Sequence, residues 1–201
     1  MIFLAFCDRI SLGEFETFLT YPISRGKNKT KGENKGMQRN SKRRKTVVFL
    51  TRGAVIAALY TTLTYLVLPL AGGVIQFRIS EMLCILPLFF PEAIVGLWVG
   101  CIISNILVGG IVVDIIFGSV ATLIGALGAY LLRNLPEKLK WVATMPTVIA
   151  NTLIVPPIIV YAYGSGESLP FVMLTVGIGE LLSAGILGSI LYYAMRKSKI
   201  F

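Results

Sequence analysis

The chain has 201 residues, of which 55% are apolar and only 14% charged, and its mean hydropathy is +0.78. A soluble domain of this length needs far more charge to cover its surface, so the composition points to an integral membrane protein. There is no histidine, which removes the commonest proton shuttle and metal ligand and excludes Ser–His or zinc chemistry.

The first 36 residues differ in character from the rest of the chain. Residues 1–20 mix apolar side chains with Asp8, Glu14 and Glu16 and lack the basic start and small-residue cleavage site of a signal peptide. Residues 24–36 are polar and basic, in the manner of a disordered linker. Lys31, Gly32 and Glu33 are compatible with codons that spell a purine-rich ribosome-binding sequence just ahead of Met37. A basic start comes directly after it, with Arg39, Lys42, Arg43, Arg44 and Lys45. Two readings stand: a translated leader ahead of a true start at Met37, or a genuine disordered tail. The expected organisation is a leader over 1–36, a basic cytoplasmic N-terminus over 37–46 and a membrane domain over 47–201.

Six apolar segments come next, at about 47–70, 79–90, 93–108, 112–132, 141–163 and 169–195. The second and third are short against the ~20 residues of a perpendicular span, and only Pro91 and Glu92 divide them. Charge parity decides between two short spans and one kinked span. Six crossings with an inside N-terminus leave Arg133, Lys138, Lys140, Arg196, Lys197 and Lys199 in the cytoplasm and only Arg78 outside. Five crossings put the 133–140 loop and the C-terminal tail outside, against the positive-inside rule. The expected fold is therefore an all-α membrane protein of six spans with both termini cytoplasmic. Trp141, Tyr161, Tyr163, Tyr192 and Tyr193 fall near span ends, as interfacial belt residues do. The net charge of +9 then reads as topology determinants and contacts to anionic lipid, with no nucleic-acid partner.

An ionisable group at mid-bilayer costs roughly 2.5–3.5 kcal/mol on insertion scales, so each one needs a reason. Gln76, Arg78, Glu81, Asn105 and Asp114 gather towards the outer ends of their segments, and Glu180 lies about ten residues into the sixth. The inner half beyond Arg52 is almost purely apolar up to the basic caps. This asymmetry suggests a pocket open to the outside and sealed from the cytoplasm. The competing structural reading makes Arg78 and Glu81 an i, i+3 helical ion pair and lets Asp114 reach water. Glu180 resists that reading, being deep and without an opposite charge nearby in sequence. Asn151 sits near the middle of the fifth segment, and Trp98 suits packing or lipid better than stacking on a flat ligand. Cys84 and Cys101 have no metal-ligand spacing and read as small core or lipid-facing residues.

Ala54 and Ala58, beside Ala57, place small residues on one face of the first helix, where another helix can approach. No glycine-rich loop ending in Gly-Lys-Ser/Thr is present, so hydrolysis of ATP by that route is excluded for this chain. A membrane-embedded lipid head-group enzyme needs a dense cluster of acids or histidines at the cytoplasmic face, where Glu92 is the lone acid between spans. A channel needs a polar lining through the inner half.

The run from Gln76 to Glu81 (Gln-Phe-Arg-Ile-Ser-Glu), Leu86-Pro87, the segment from Gly96 to Asn105, and Asp114-Ile-Ile-Phe-Gly-Ser119 resemble the queuosine-precursor transporter family (QueT). Its members are S components of energy-coupling-factor (ECF) importers, and the resemblance covers about 52–197. It implies high-affinity capture of a 7-deazaguanine, the 7-aminomethyl form foremost, from outside the cell. It also implies docking through Ala54 and Ala58 onto a transmembrane T subunit with two cytoplasmic ATPases, which use the ATP, while this chain holds no cofactor. Toppling of the S component in the membrane would carry the pocket to the cytoplasmic side. On this resemblance the substrate-binding residues are Gln76, Arg78, Glu81, Asn105, Asp114 and Glu180. A carboxylate can take the N–H and amino edge of the base as a bidentate pair, a second acid the aminomethyl cation, and Asn105 or Gln76 the carbonyl. Which acid does which task stays open. The alternative cargo for such a component is another flat vitamin or base, riboflavin or thiamine, for which more aromatic residues are expected.

Overall fold

The computed structural model describes residues 31–67 and 78–197. Gln76 lies outside them, as do residues 1–30. The chain divides into two units, a large one from Phe49 to Tyr192 and a small one formed by the residues up to Val48 with those from Tyr193 onward. In the small unit the described residues are helical. Helix α1 (Lys31–Val67) already includes residues 31–36, which the sequence presents as linker. Adding residues to an existing helix is far easier than nucleating one, and Lys and Glu are good helix formers.

The large unit continues from α1 into a 3-10 helix, Ile79–Leu88. Next in the chain are α2 (Glu92–Leu107), α3 (Val112–Leu131) and 3-10 segments at Leu132–Asn134 and Glu137–Thr144. Helix α4 (Met145–Pro157) runs into a π-helical stretch, Ile158–Ala162. Helix α5 (Leu169–Glu180) then passes through a second π stretch, Leu181–Leu187, into α6 (Gly188–Lys197). Proline in the first turn starts both α4 and α5, where its missing N–H is no loss. The turn before α3 uses Gly109 at φ 76°, and the loop before α5 uses Gly164 and Gly166 at φ 65° and 74°, a region open to glycine at no steric cost.

Among the described residues, four stretches are long and apolar enough to cross a membrane: Thr46–Val67, Val112–Asn134, Glu137–Ala162 and Leu169–Lys197. The other two apolar helices, Ile79–Leu88 and Glu92–Leu107, are shorter. The first of these is wound as a 3-10 helix and not as an α-helix. Its 3-10 winding rises ~2.0 Å per residue against ~1.5 Å, so ten residues reach ~20 Å in place of ~15 Å. Pro87 lies inside it, and seven of its ten residues are buried. Irregular backbone at membrane depth is tolerated where protein surrounds it in this way. The π stretch after α4 comes directly after Pro156 and Pro157, two positions without an N–H for the α-helical ladder.

Contacts sort the segment ends into two groups. Arg52 near the start of the apolar part of α1 bonds Glu92 at the start of α2 (3.0 Å) and lies over the Phe90 ring. Phe89 stacks on Tyr192 near the chain's last turns. Tyr192 is thus a buried packing residue and not the interfacial belt residue expected from its position. Trp141, Tyr161, Tyr163 and Tyr193 are exposed. In the other group, Tyr163 at the end of the fifth segment bonds Asp114 at the start of the fourth.

Small residues let the helices touch. A Cβ on Gly96 would lie 2.6 Å from the Gly53 carbonyl, and one on Gly100 would lie 2.9 Å from that of Ala57. Gly53 and Ala57 on α1 therefore meet Gly96 and Gly100 on α2 backbone to backbone, the close approach that small-xxx-small spacing permits. Thr61 adds a hydrogen bond to the Gly100 carbonyl at 3.2 Å. Likewise Gly125 and Gly128 of α3 receive Thr147 and Pro146 of α4. Gly96→Val is expected to lower stability by ~1–3 kcal/mol through overpacking, read as a lower thermal midpoint in detergent. Gly177→Ala, which meets only Thr152 side-chain atoms at 3.4 and 3.5 Å, leaves the midpoint unchanged or raised.

Candidate functional site

Arg78 is the last extended residue before the 3-10 helix, at φ −112° and ψ 96°. Its side chain is therefore not aimed by a helical repeat. It reaches Asp114, 36 positions later, at 3.8 Å. Among the described residues no ion pair joins Arg78 to Glu81, so the helical i, i+3 pair is replaced by a bridge between two segments. Asp114 is in the first turn of α3, where a carboxylate is favoured by the helix dipole. It also accepts a hydrogen bond from the Tyr163 hydroxyl at 3.2 Å, and the same oxygen of Tyr163 accepts from the Ile111 N–H. The absence of a side chain on Gly118 makes room here: a Cβ there would meet Asp114 Oδ1 at 3.1 Å and Asn105 Nδ2 at 3.2 Å.

Glu81 begins the 3-10 helix and is almost fully buried. Three donors converge on it. The Tyr60 hydroxyl of α1 and Thr122 Oγ1 of α3 (3.2 Å) donate to Oε1, and Cys84 Sγ donates to Oε2 at 3.1 Å. Its carboxylate is thus held in the core by groups from three segments. Cys84 and Cys101 are free and buried, as core residues.

Glu180 ends α5, immediately before the π stretch, and is only 4% exposed. Arg78, Asn151, Val155, Val176 and Glu180 line a small recess of about 10 Å³, room for one water-sized sphere. Glu180 lies within electrostatic reach of both Arg78 and Glu81 and beside the Asn151 amide. Its Oε2 is buried without a hydrogen-bond partner, and so is Nδ2 of the neighbouring Asn151, itself 3% exposed. A buried polar atom left unpaired costs ~1–3 kcal/mol.

The structure thus gathers Arg78, Asp114, Glu81 and Glu180 around one region. Asn105 backs Asp114, with its amide directed to the Asp114 carbonyl (3.4 Å) and to Cys101 Sγ. Trp98 is 37% exposed on α2 and does not line the recess. Sequence reasoning places Asn151 at mid-segment but leaves it out of the site. A lone amide in an apolar run is the available signal. Tyr60 and Thr122 carry none, because a hydroxyl in an apolar helix is equally at home bonding its own backbone. The formal charges do not balance: three carboxylates share one guanidinium among the described residues of the cluster.

No solved structure matches the chain. It is 38% identical over 91 residues to the queuosine precursor transporter QueT of Lactococcus lactis subsp. cremoris (strain MG1363), an alignment covering 44% of this chain and 53% of that protein. The matched stretch spans just over half of that relative's length. The QueT transporter family matches residues 50–197, a range that holds every described residue of the recess and its supports. The chain is a multi-pass membrane protein and belongs to the QueT transporter family.

Proposed function

We propose that this chain is the substrate-binding S component of an ECF-type importer and captures a queuosine precursor, 7-aminomethyl-7-deazaguanine or a close relative, from outside the cell. The observation that carries this reading is Glu180, a buried carboxylate with an unpartnered oxygen at the wall of the recess. The N–H and amino edge of a guanine-type base offers a carboxylate two parallel donors. The aminomethyl cation offsets the excess of acid contributed by Glu81, Asp114 and Glu180. Among the described residues no aromatic side chain lines the recess, which favours a hydrogen-bonded base over riboflavin or thiamine. The name of the Lactococcus relative is consistent with this cargo.

Six crossings with both termini cytoplasmic fit the grouping of segment ends. Arg52, Glu92, Phe89 and Tyr192 come together at the starts of the first and third segments and the ends of the second and sixth. Arg78, Asp114 and Tyr163 come together at the starts of the second and fourth and the end of the fifth. Strict alternation of direction brings together those sets of ends, and the basic 133–140 loop then lies inside with the two termini. Ala54 and Ala58 are exposed on α1, on a face separate from the Gly53 and Ala57 pair already used against α2. That leaves them available to a T subunit with its two ATPases, where ATP is consumed.

Purified protein is expected to bind radiolabelled 7-aminomethyl-7-deazaguanine saturably and without competition from riboflavin. Glu180→Gln should weaken binding about 10- to 100-fold, the loss of a charged hydrogen bond, at an unchanged thermal midpoint. Absence of binding by a folded sample would remove the queuosine-precursor assignment. For topology, a cysteine placed at Ser165 should react with a membrane-impermeant maleimide in intact cells, and one at Lys138 only after permeabilisation. Labelling of the Lys138 position in intact cells would overturn the six-crossing arrangement.

A further inference from the structure

Asn151 deepens the site in a way the carboxylates alone do not. Three contacts fix the antiparallel register of the fifth and sixth segments. A Cβ on Gly188 would sit 3.5 Å from Thr144 Cγ2, and one on Gly177 would sit 3.4 Å from Thr152 Cγ2. Val155 packs with Val176 in one apolar cluster that also includes Val172. This register sets Asn151 opposite Glu180, and Thr147, one turn earlier on α4, level with Ser183, one turn later on the sixth segment. All four side chains are at least nine-tenths buried, and each has a polar atom without a partner: Thr147 Oγ1, Asn151 Nδ2, Glu180 Oε2 and Ser183 Oγ. Only Asn151 and Glu180 of the four line the recess.

The two orphaned atoms at the recess are of opposite kind. Asn151 Nδ2 is a donor and Glu180 Oε2 an acceptor; the two side chains lie within reach of each other, but neither of these atoms has a hydrogen bond of proper geometry. A cation would satisfy the carboxylate and leave the amide donor unpaired. A ligand edge with a carbonyl beside a ring N–H satisfies both at once. We propose that Asn151 and Glu180 together read a lactam edge, Glu180 accepting from the ring N–H and Asn151 donating to the adjacent carbonyl. Asn151 is then a specificity-determining residue that separates guanine-type bases from bases carrying an amino group at that position. Asn105, which the sequence offers for the carbonyl, directs its amide to Asp114 and Cys101 instead. This inference rests on the deazaguanine reading.

The test uses the full-length protein with bound radiolabelled 7-aminomethyl-7-deazaguanine, displaced by 7-deazaguanine or by 7-deaza-2,6-diaminopurine. Wild type should favour the lactam competitor. Asn151→Asp exchanges a donor for an acceptor in the same shape, so it should narrow that preference by at least about tenfold. Asn151→Leu should weaken the radioligand while leaving the thermal midpoint near that of wild type. A merely structural role for Asn151 would lower both competitors alike, and an unchanged preference in Asn151→Asp with wild-type binding intact overturns this inference alone. Failure of wild type to bind the radioligand at all overturns the underlying assignment, and this inference with it.

Discussion

Everything about the site derives from placing three buried carboxylates and one half-buried guanidinium in an apolar helical unit. An acid at membrane depth is stable only if donors or cations surround it, and the three acids are treated differently. Glu81 is saturated by Tyr60, Thr122 and Cys84. Asp114 is shared between Arg78 and Tyr163. Glu180 keeps an oxygen unpaired at the wall of the recess. This gradient from satisfied to unsatisfied is what the proposed ligand-binding role of Glu180 rests on.

The irregular backbone serves the same end. The 3-10 helix Ile79–Leu88 lets a ten-residue segment reach further than an α-helix would, and it places Glu81 one turn inside from Arg78. The π stretch Leu181–Leu187 begins directly after Glu180, in keeping with the tendency of such turns to occur at functional sites. Glycines then bring the supporting residues in. Without a side chain on Gly100, the Tyr60 Cβ can lie 3.0 Å from where a Cβ would be, which holds α1 close enough for its hydroxyl to reach Glu81. The site is in this sense a product of helix packing as much as of the polar residues themselves.

Much of this is legible in the sequence. Apolar run lengths show the segments, and the short second and third are visible from Pro91 and Glu92. The scarcity of charge makes each of Arg78, Glu81, Asp114 and Glu180 conspicuous. What is not legible depends on partners far apart in the chain. The helical spacing of Arg78 and Glu81 suggests a local ion pair, but Arg78 precedes the helix in extended conformation and so pairs with Asp114. Asn105 and Asn151 look alike in sequence, each a single amide in an apolar run. Only packing distinguishes the one engaged behind Asp114 from the one left unpaired at the recess. Tyr192 looks interfacial because span ends attract tyrosine, yet the Phe89 ring covers it.

Glu81, Asp114 and Glu180 exceed the one guanidinium of Arg78 in the cluster around the recess, and the proposed ligand supplies the missing positive charge. The most direct test compares the affinity of 7-aminomethyl-7-deazaguanine with that of the 7-cyano analogue, which has the same base but a neutral substituent, by calorimetry at pH 7. The cationic ligand is expected to bind at least about tenfold tighter, in line with one charge-assisted contact. Equal affinity, or preference for the neutral analogue, would contradict it.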